Sequence, residues 1–119
     1  MYYVSKRMEI SAAHKLKLSY ESKCQNLHGH NWIITVYCKS RFLNDDGMVI
    51  DFKHIKNAIH DKLDHAYLNE VLSFNPTAEN MAKWIVSQFP QCYKAFVQES
   101  EGNIACYVDD TKVDGEEAM

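Results

Sequence analysis

A chain of 119 residues with 46% apolar content is long enough for one domain that buries about two thirds of its surface. Its 13 Lys plus Arg against 16 Asp plus Glu give a formal charge of -3, and the absence of a long basic tract argues against non-specific nucleic-acid binding. No apolar run reaches membrane-spanning length and no apolar signal core opens the chain, so a cytoplasmic protein without a membrane partner is expected.

Residues 2–10 alternate. Tyr2, Val4, Met8 and Ile10 face one way and Tyr3, Ser5, Arg7 and Glu9 the other, as in a half-buried strand. Lys6 interrupts the apolar row, which suits an edge position. Residues 11–29 show no steady period, and so long a connection suggests function. Alternation returns over 30–38, with Trp32, Ile34, Val36 and Cys38 on one face and Ile33 and Tyr37 on the other. Asn44-Asp45-Asp46-Gly47 signals a turn.

A helix is predicted over 52–63, with Phe52, Ile55, Ile59 and Leu63 as its apolar stripe and Asp51 as its cap. A second is predicted over 78–89, with Thr77 as N-cap and Pro90 as its stop. Tyr93, Ala95 and Val97, then Ile104, Cys106 and Val108 after Gly102-Asn103, read as a hairpin. From Asp109 the chain is acidic and is expected to fray.

The order strand, strand, helix, helix, strand, strand predicts an α+β domain: an antiparallel four-stranded sheet with two helices on one face. The other face would carry Tyr3, Ile33, Tyr37, Phe96 and Tyr107, apolar enough to suggest burial against another subunit. Cys24, Cys38, Cys92 and Cys106 form no CxxC unit, and with no sign of secretion they read as free thiols rather than two disulfides.

His28-Gly29-His30 places two imidazoles at positions i and i+2. In an extended chain these share a face and can reach one metal, with Gly29 leaving room beside them. With His14 as third ligand, zinc would keep an open position, the catalytic arrangement. Cys24 in the polar stretch 21–26 could instead be a fourth ligand, closing a structural site.

Asp64-His65 follows the first helix. Either the carboxylate holds the imidazole's tautomer, or the pair is a helix C-terminus with a solvated Asp. Glu99 falls on the face of Tyr93, Ala95 and Val97. There a carboxylate needs a partner, unless the strand ends just before it.

Together these stretches resemble the 6-pyruvoyl-tetrahydropterin synthase and 6-carboxy-tetrahydropterin synthase family. The marks are Ser11-Ala12-Ala13-His14, Cys24-Gln25-Asn26-Leu27-His28-Gly29-His30, Gly47-Met48-Val49-Ile50-Asp51-Phe52, Leu63-Asp64-His65, Leu68-Asn69, Asn75-Pro76-Thr77-Ala78-Glu79-Asn80 and Glu99. They run through nearly the whole chain. Ile10, Trp32 and Ser100 stand where the family often has Phe, Tyr and Thr.

The resemblance implies the tunnelling T-fold, assembled as trimers that stack into a homohexamer. It implies catalytic zinc on His14, His28 and His30, with 7,8-dihydroneopterin triphosphate as the pterin substrate. Cys24, Asp64 and His65 would then be catalytic, and Glu99 would anchor the pterin ring. Two outcomes compete in the family. One yields 6-pyruvoyl-tetrahydropterin. The other cleaves the side chain to 6-carboxy-tetrahydropterin, acetaldehyde and triphosphate on the path to queuosine. The spacing of Cys24 four positions before His28 resembles the carboxy enzymes, since pyruvoyl enzymes typically have two more residues between them.

Overall fold

The computed structural model describes residues 1–113. Strands β1 (Tyr2–His14) and β2 (His28–Ser40) lead into helix α1 over 52–63, short helix α2 (Leu68–Val71) and helix α3 (Ala78–Val86). Strands β3 (Cys92–Ser100) and β4 (Asn103–Val108) follow. The sheet is antiparallel throughout, in the order β1-β2-β3-β4. The expected fold class stands, with α2 as an addition that the sequence pattern did not reveal.

Even-numbered residues of β1 and β2 face the helices. Met8, Ile10, Trp32, Ile34, Val36, Ala95 and Val97 are buried there against Ile55, Ile59, Leu63, Met81 and Ile85. Each such large side chain contributes about 1.5–3 kcal/mol by leaving water. The indole N–H of Trp32 donates to Ala12 O at 3.2 Å, which removes the penalty of burying it.

Both hairpin strands run longer than expected. Alternation continues through Ala12 and His14, and β2 begins at His28 rather than at residue 30. Thirteen paired positions from Tyr2↔Ser40 to His14↔His28 result. That register is what sets His14 opposite His28.

Helix α1 is continuous over 52–63 but widens into a π-helical turn at Lys56–His60. Its core residues Ile55, Ile59 and Leu63 are spaced four apart. On a regular α-helix they would drift about 40° per step. A wider turn keeps all three on one face, and all three are fully buried. Phe52, expected in the stripe, stays 47% exposed. The Asp51 carboxylate accepts from Lys53 N at 2.8 Å and Thr77 Oγ1 from Asn80 N at 3.1 Å, so both expected caps are present. Helix α3 ends at Val86 rather than at residue 89, because the Ser87 and Gln88 amides turn back to Trp84 and Ile85 carbonyls.

The far face of the sheet needs one correction. Tyr107 pairs with Ala95 and packs on the helix side against the core. Ile104, Cys106 and Val108 occupy the outer face instead, with Ile104 58% exposed. Tyr37 and Phe96 meet there edge to face at 5.9 Å. Asp109 to Lys112, expected to fray, are tied down: Asp109 N donates to Tyr93 O at 2.9 Å and Lys112 Nζ to Cys92 O at 2.8 Å. Residues 114–119 of that acidic tail lie outside the described residues. All four cysteines are free thiols, and Cys38 and Cys92 touch across β2 and β3.

Candidate metal centre

Three imidazoles and one carboxylate converge at one end of the sheet. Candidate ligand atoms of His14, His28, His30 and Glu99 all lie within 4.8 Å of one another. The strand geometry explains the meeting. His28 and His30 are alternate residues of β2, and β1 aligns His14 with His28. Ring centroids stand 4.5 Å (His14–His28), 5.3 Å (His14–His30) and 4.9 Å (His28–His30) apart. Trp32 packs edge-on against His14 and His30 and forms the floor.

Two of the rings are oriented by backbone carbonyls. His14 Nδ1 lies 2.8 Å from Pro76 O, and His28 Nδ1 lies 2.7 Å from Asn26 O. A carbonyl can only accept, so each Nδ1 carries the proton and each Nε2 keeps a lone pair. The Nε2 atoms of His14 and His30 are buried without a hydrogen-bond partner. His30 Nε2 lies 3.1 Å from Glu99 Oε1, but without the alignment of a hydrogen bond. Burial holds the His14 imidazole below its ordinary pKa, the Pro76 carbonyl pulls the other way, and His28 adds to the depression. A neutral imidazole with an orphaned, inward lone pair is what a metal ligand requires. The cluster is thus capable of coordinating a metal ion.

Cys24 is not part of this cluster. It sits half-buried in a single 3-10 turn, Lys23–Gln25. Ser22 Oγ accepts its amide at 3.2 Å, and its carbonyl accepts from Leu16 N at 2.8 Å. The loop is therefore built around Cys24.

Asp64 and His65 lie along the outer edge of β1. Asp64 Oδ1 accepts from Ser11 N at 2.9 Å, which holds its carboxyl below the usual range although burial pushes the other way. His65 N donates to Ser11 O at 2.7 Å. His65 has φ +57°, left-handed backbone that a non-glycine residue adopts at a cost of order 1 kcal/mol. Its ring is 83% exposed, with Nε2 3.5 Å from Asp64 Oδ2. His65 and His30 both line an open depression of about 460 Å³, with Ser11, Ala13, Gly29 and Asn31. Glu99 opens on another of about 400 Å³, beside Glu79 and Asn103.

The expected steric need for Gly29 is not found. A Cβ there would meet only Ala12 O at 3.7 Å, an ordinary contact. Two residues with a structural part were not read from the sequence. Asn69 accepts from Lys15 N at 2.9 Å and donates to Lys15 O at 2.8 Å. Asn75 does the same to Lys17 at 2.9 and 3.0 Å. Each side-chain amide acts as a short strand partner and fixes the segment after His14. The only signal was their place in the Leu68-Asn69 and Asn75-Pro76-Thr77 stretches, whose contacts span more than fifty residues.

Fold, histidine cluster and sequence together define the class: residues 3–109 match the 6-pyruvoyl tetrahydropterin synthase model, and the chain belongs to that family. A 6-carboxy-5,6,7,8-tetrahydropterin synthase from Synechocystis sp. is 36% identical over 100 residues, covering 76% of this chain and 77% of its own. A 6-pyruvoyl tetrahydrobiopterin synthase from Dictyostelium discoideum is 32% identical over 126 aligned positions, covering 87% and 93%. The structure of the Caenorhabditis elegans 6-pyruvoyl tetrahydropterin synthase superposes with a TM-score of 0.72 at 26% identity, covering 90% of this chain and 94% of that one.

Proposed function

We propose that this chain is a zinc-dependent lyase that converts 7,8-dihydroneopterin triphosphate and one water to 6-carboxy-5,6,7,8-tetrahydropterin, acetaldehyde and triphosphate, on the route to queuosine. The observation that carries the reading is the convergence of His14, His28 and His30, with Cys24 four positions before His28 on the segment that leads into β2. Three imidazoles suit zinc and leave a position for substrate.

Bound there, zinc supplies Lewis acidity toward the side-chain hydroxyls. Cys24, as thiolate, takes a proton from the substrate side chain. His65, oriented by Asp64, exchanges the second proton. Glu99 accepts hydrogen bonds from the ring N–H and amino group of the pterin. Lys15, Lys17 and Lys23 are exposed around the Cys24 loop and offer positive partners to triphosphate. A cytoplasmic setting suits this chemistry, since it keeps the Cys24 thiol reduced. No helix among the described residues is long and apolar enough to cross a membrane.

The pyruvoyl outcome is the second reading, supported by the Dictyostelium relative's name and coverage. Anaerobic incubation with zinc and 7,8-dihydroneopterin triphosphate separates the two. Acetaldehyde trapped in step with substrate loss is the expected result. Triphosphate release without acetaldehyde would transfer the assignment to the pyruvoyl reaction.

Assembly as a homohexamer, a dimer of trimers, belongs to the same proposal. Exposed Tyr3 and Ile104 on the outer sheet face support it, as does the 83% exposed ring of His65, which one chain leaves without cover. Light scattering is expected to give about six chain masses, the number being that of the family resemblance. A monomer at working concentration would refute it.

A further inference from the structure

Glu99 has been given one task, gripping the pterin, yet its carboxylate sits among the three imidazoles. Its Oε1 is 3.1 Å from His30 Nε2 without hydrogen-bond alignment. All four candidate ligand atoms lie within 4.8 Å of one another, so small side-chain rotations bring them to the roughly 2.0–2.2 Å that donors keep from a single zinc ion. At its far end β3 is free to place this side chain, because the β3–β4 register shifts between Gln98 and Ser100. A carboxylate left there without metal faces the orphaned Nε2 lone pair of His14, a contact that repels. An ion placed between them turns the same contact into attraction.

We propose that Glu99 is the fourth ligand of the resting metal centre and is displaced from it when a pterin binds. The inference rests on the reading of Glu99 as pterin anchor, because the displaced carboxylate is the group that then accepts from the ring N–H and amino group. Pterin hydroxyls take the vacated position. Without substrate the site is closed to water and to other ligands. The exchange ties opening of the metal to capture of a ring carrying the right donors, so a polyol without a pterin would not open it. No bond other than metal–oxygen bonds changes, and no oxidant or co-reactant is needed.

The test uses full-length protein in the zinc and cobalt(II) forms, with Glu99→Ala and the near-isosteric Glu99→Gln, folding being checked by circular dichroism. Competition against a chromophoric chelator is expected to show zinc held at least about 10-fold less tightly by Glu99→Ala, the lower end of what losing even an outer-shell partner costs. The visible spectrum of the cobalt(II) protein is expected to change on Glu99→Ala. Adding neopterin, a pterin that is not turned over, is expected to change the wild-type spectrum in the same sense, whereas glycerol leaves it unaltered. Identical affinities and spectra for wild type and both variants would overturn the proposal, and so would a wild-type spectrum indifferent to neopterin. If acetaldehyde still forms in that case, the lyase reading survives and only the ligand exchange falls. A ligand exchange seen without acetaldehyde has the opposite meaning.

Discussion

Replacing Cys24 with alanine is expected to lower turnover by roughly 10²–10⁴-fold, the usual worth of a positioned proton-transfer group, with one metal ion per chain retained. The two halves of this result have separate physical grounds. Cys24 lies outside the histidine–glutamate cluster, so the metal keeps its donors when the sulfur is removed. The loop backbone also keeps its bonds. Ser22 Oγ still accepts the amide of residue 24, and the carbonyl still accepts from Leu16 N. What disappears is the thiol alone. Elemental analysis and steady-state kinetics on the same sample read both halves. Loss of metal in proportion to activity would identify Cys24 as a ligand and favour a closed, structural site.

The second large effect is expected at His28. Changing it to alanine removes one of three imidazoles and is expected to weaken metal binding by more than about 100-fold, the upper end for loss of a mere outer-shell partner. Activity is expected to fall to background with it. His28 opens β2 and is half-buried, so the hydrophobic core is untouched and the fold is expected to persist. Its Nδ1 donates to Asn26 O, which aims Nε2 inward. The same contact predicts that Asn26, whose backbone does the aiming, tolerates side-chain substitution far better than His28. Metal content measured after gel filtration decides the matter. Unchanged content in a folded His28→Ala protein would remove the histidines from the metal site.

Glu99 shows why the sequence left it in two states. Its face was legible from Ala95 and Val97, which share it and are buried. Whether the strand reached it was not, because Glu99 and Glu101 flank a turn. Its partner, His30, is sixty-nine positions away, and only the pairing of β2 with β3 brings them to 3.1 Å. Tyr107 failed for a related reason. Alternation within β4 correctly separated Tyr107 from Ile104, Cys106 and Val108, but an isolated strand does not say which face meets the helices. The register Ala95↔Tyr107 decides that, and it turns Tyr107 to the core.

The sequence by itself determined what is local. Alternation and four-residue spacing set the strands and helices, because the side-chain period follows from backbone geometry. Asp51 and Thr77 marked the helix starts through their own side chains, and His28 and His30 shared a face by being two residues apart in a strand. Only the tertiary structure decided what depends on distant pairs. It set His14 across from His28, used the Pro76 carbonyl to fix the His14 tautomer, and let Asn69 and Asn75 clamp the segment after it. It also put Asp64 and His65 on the β1 edge, apart from the histidine cluster. These contacts depend on register and chain closure, to which no single stretch of residues contributes a period.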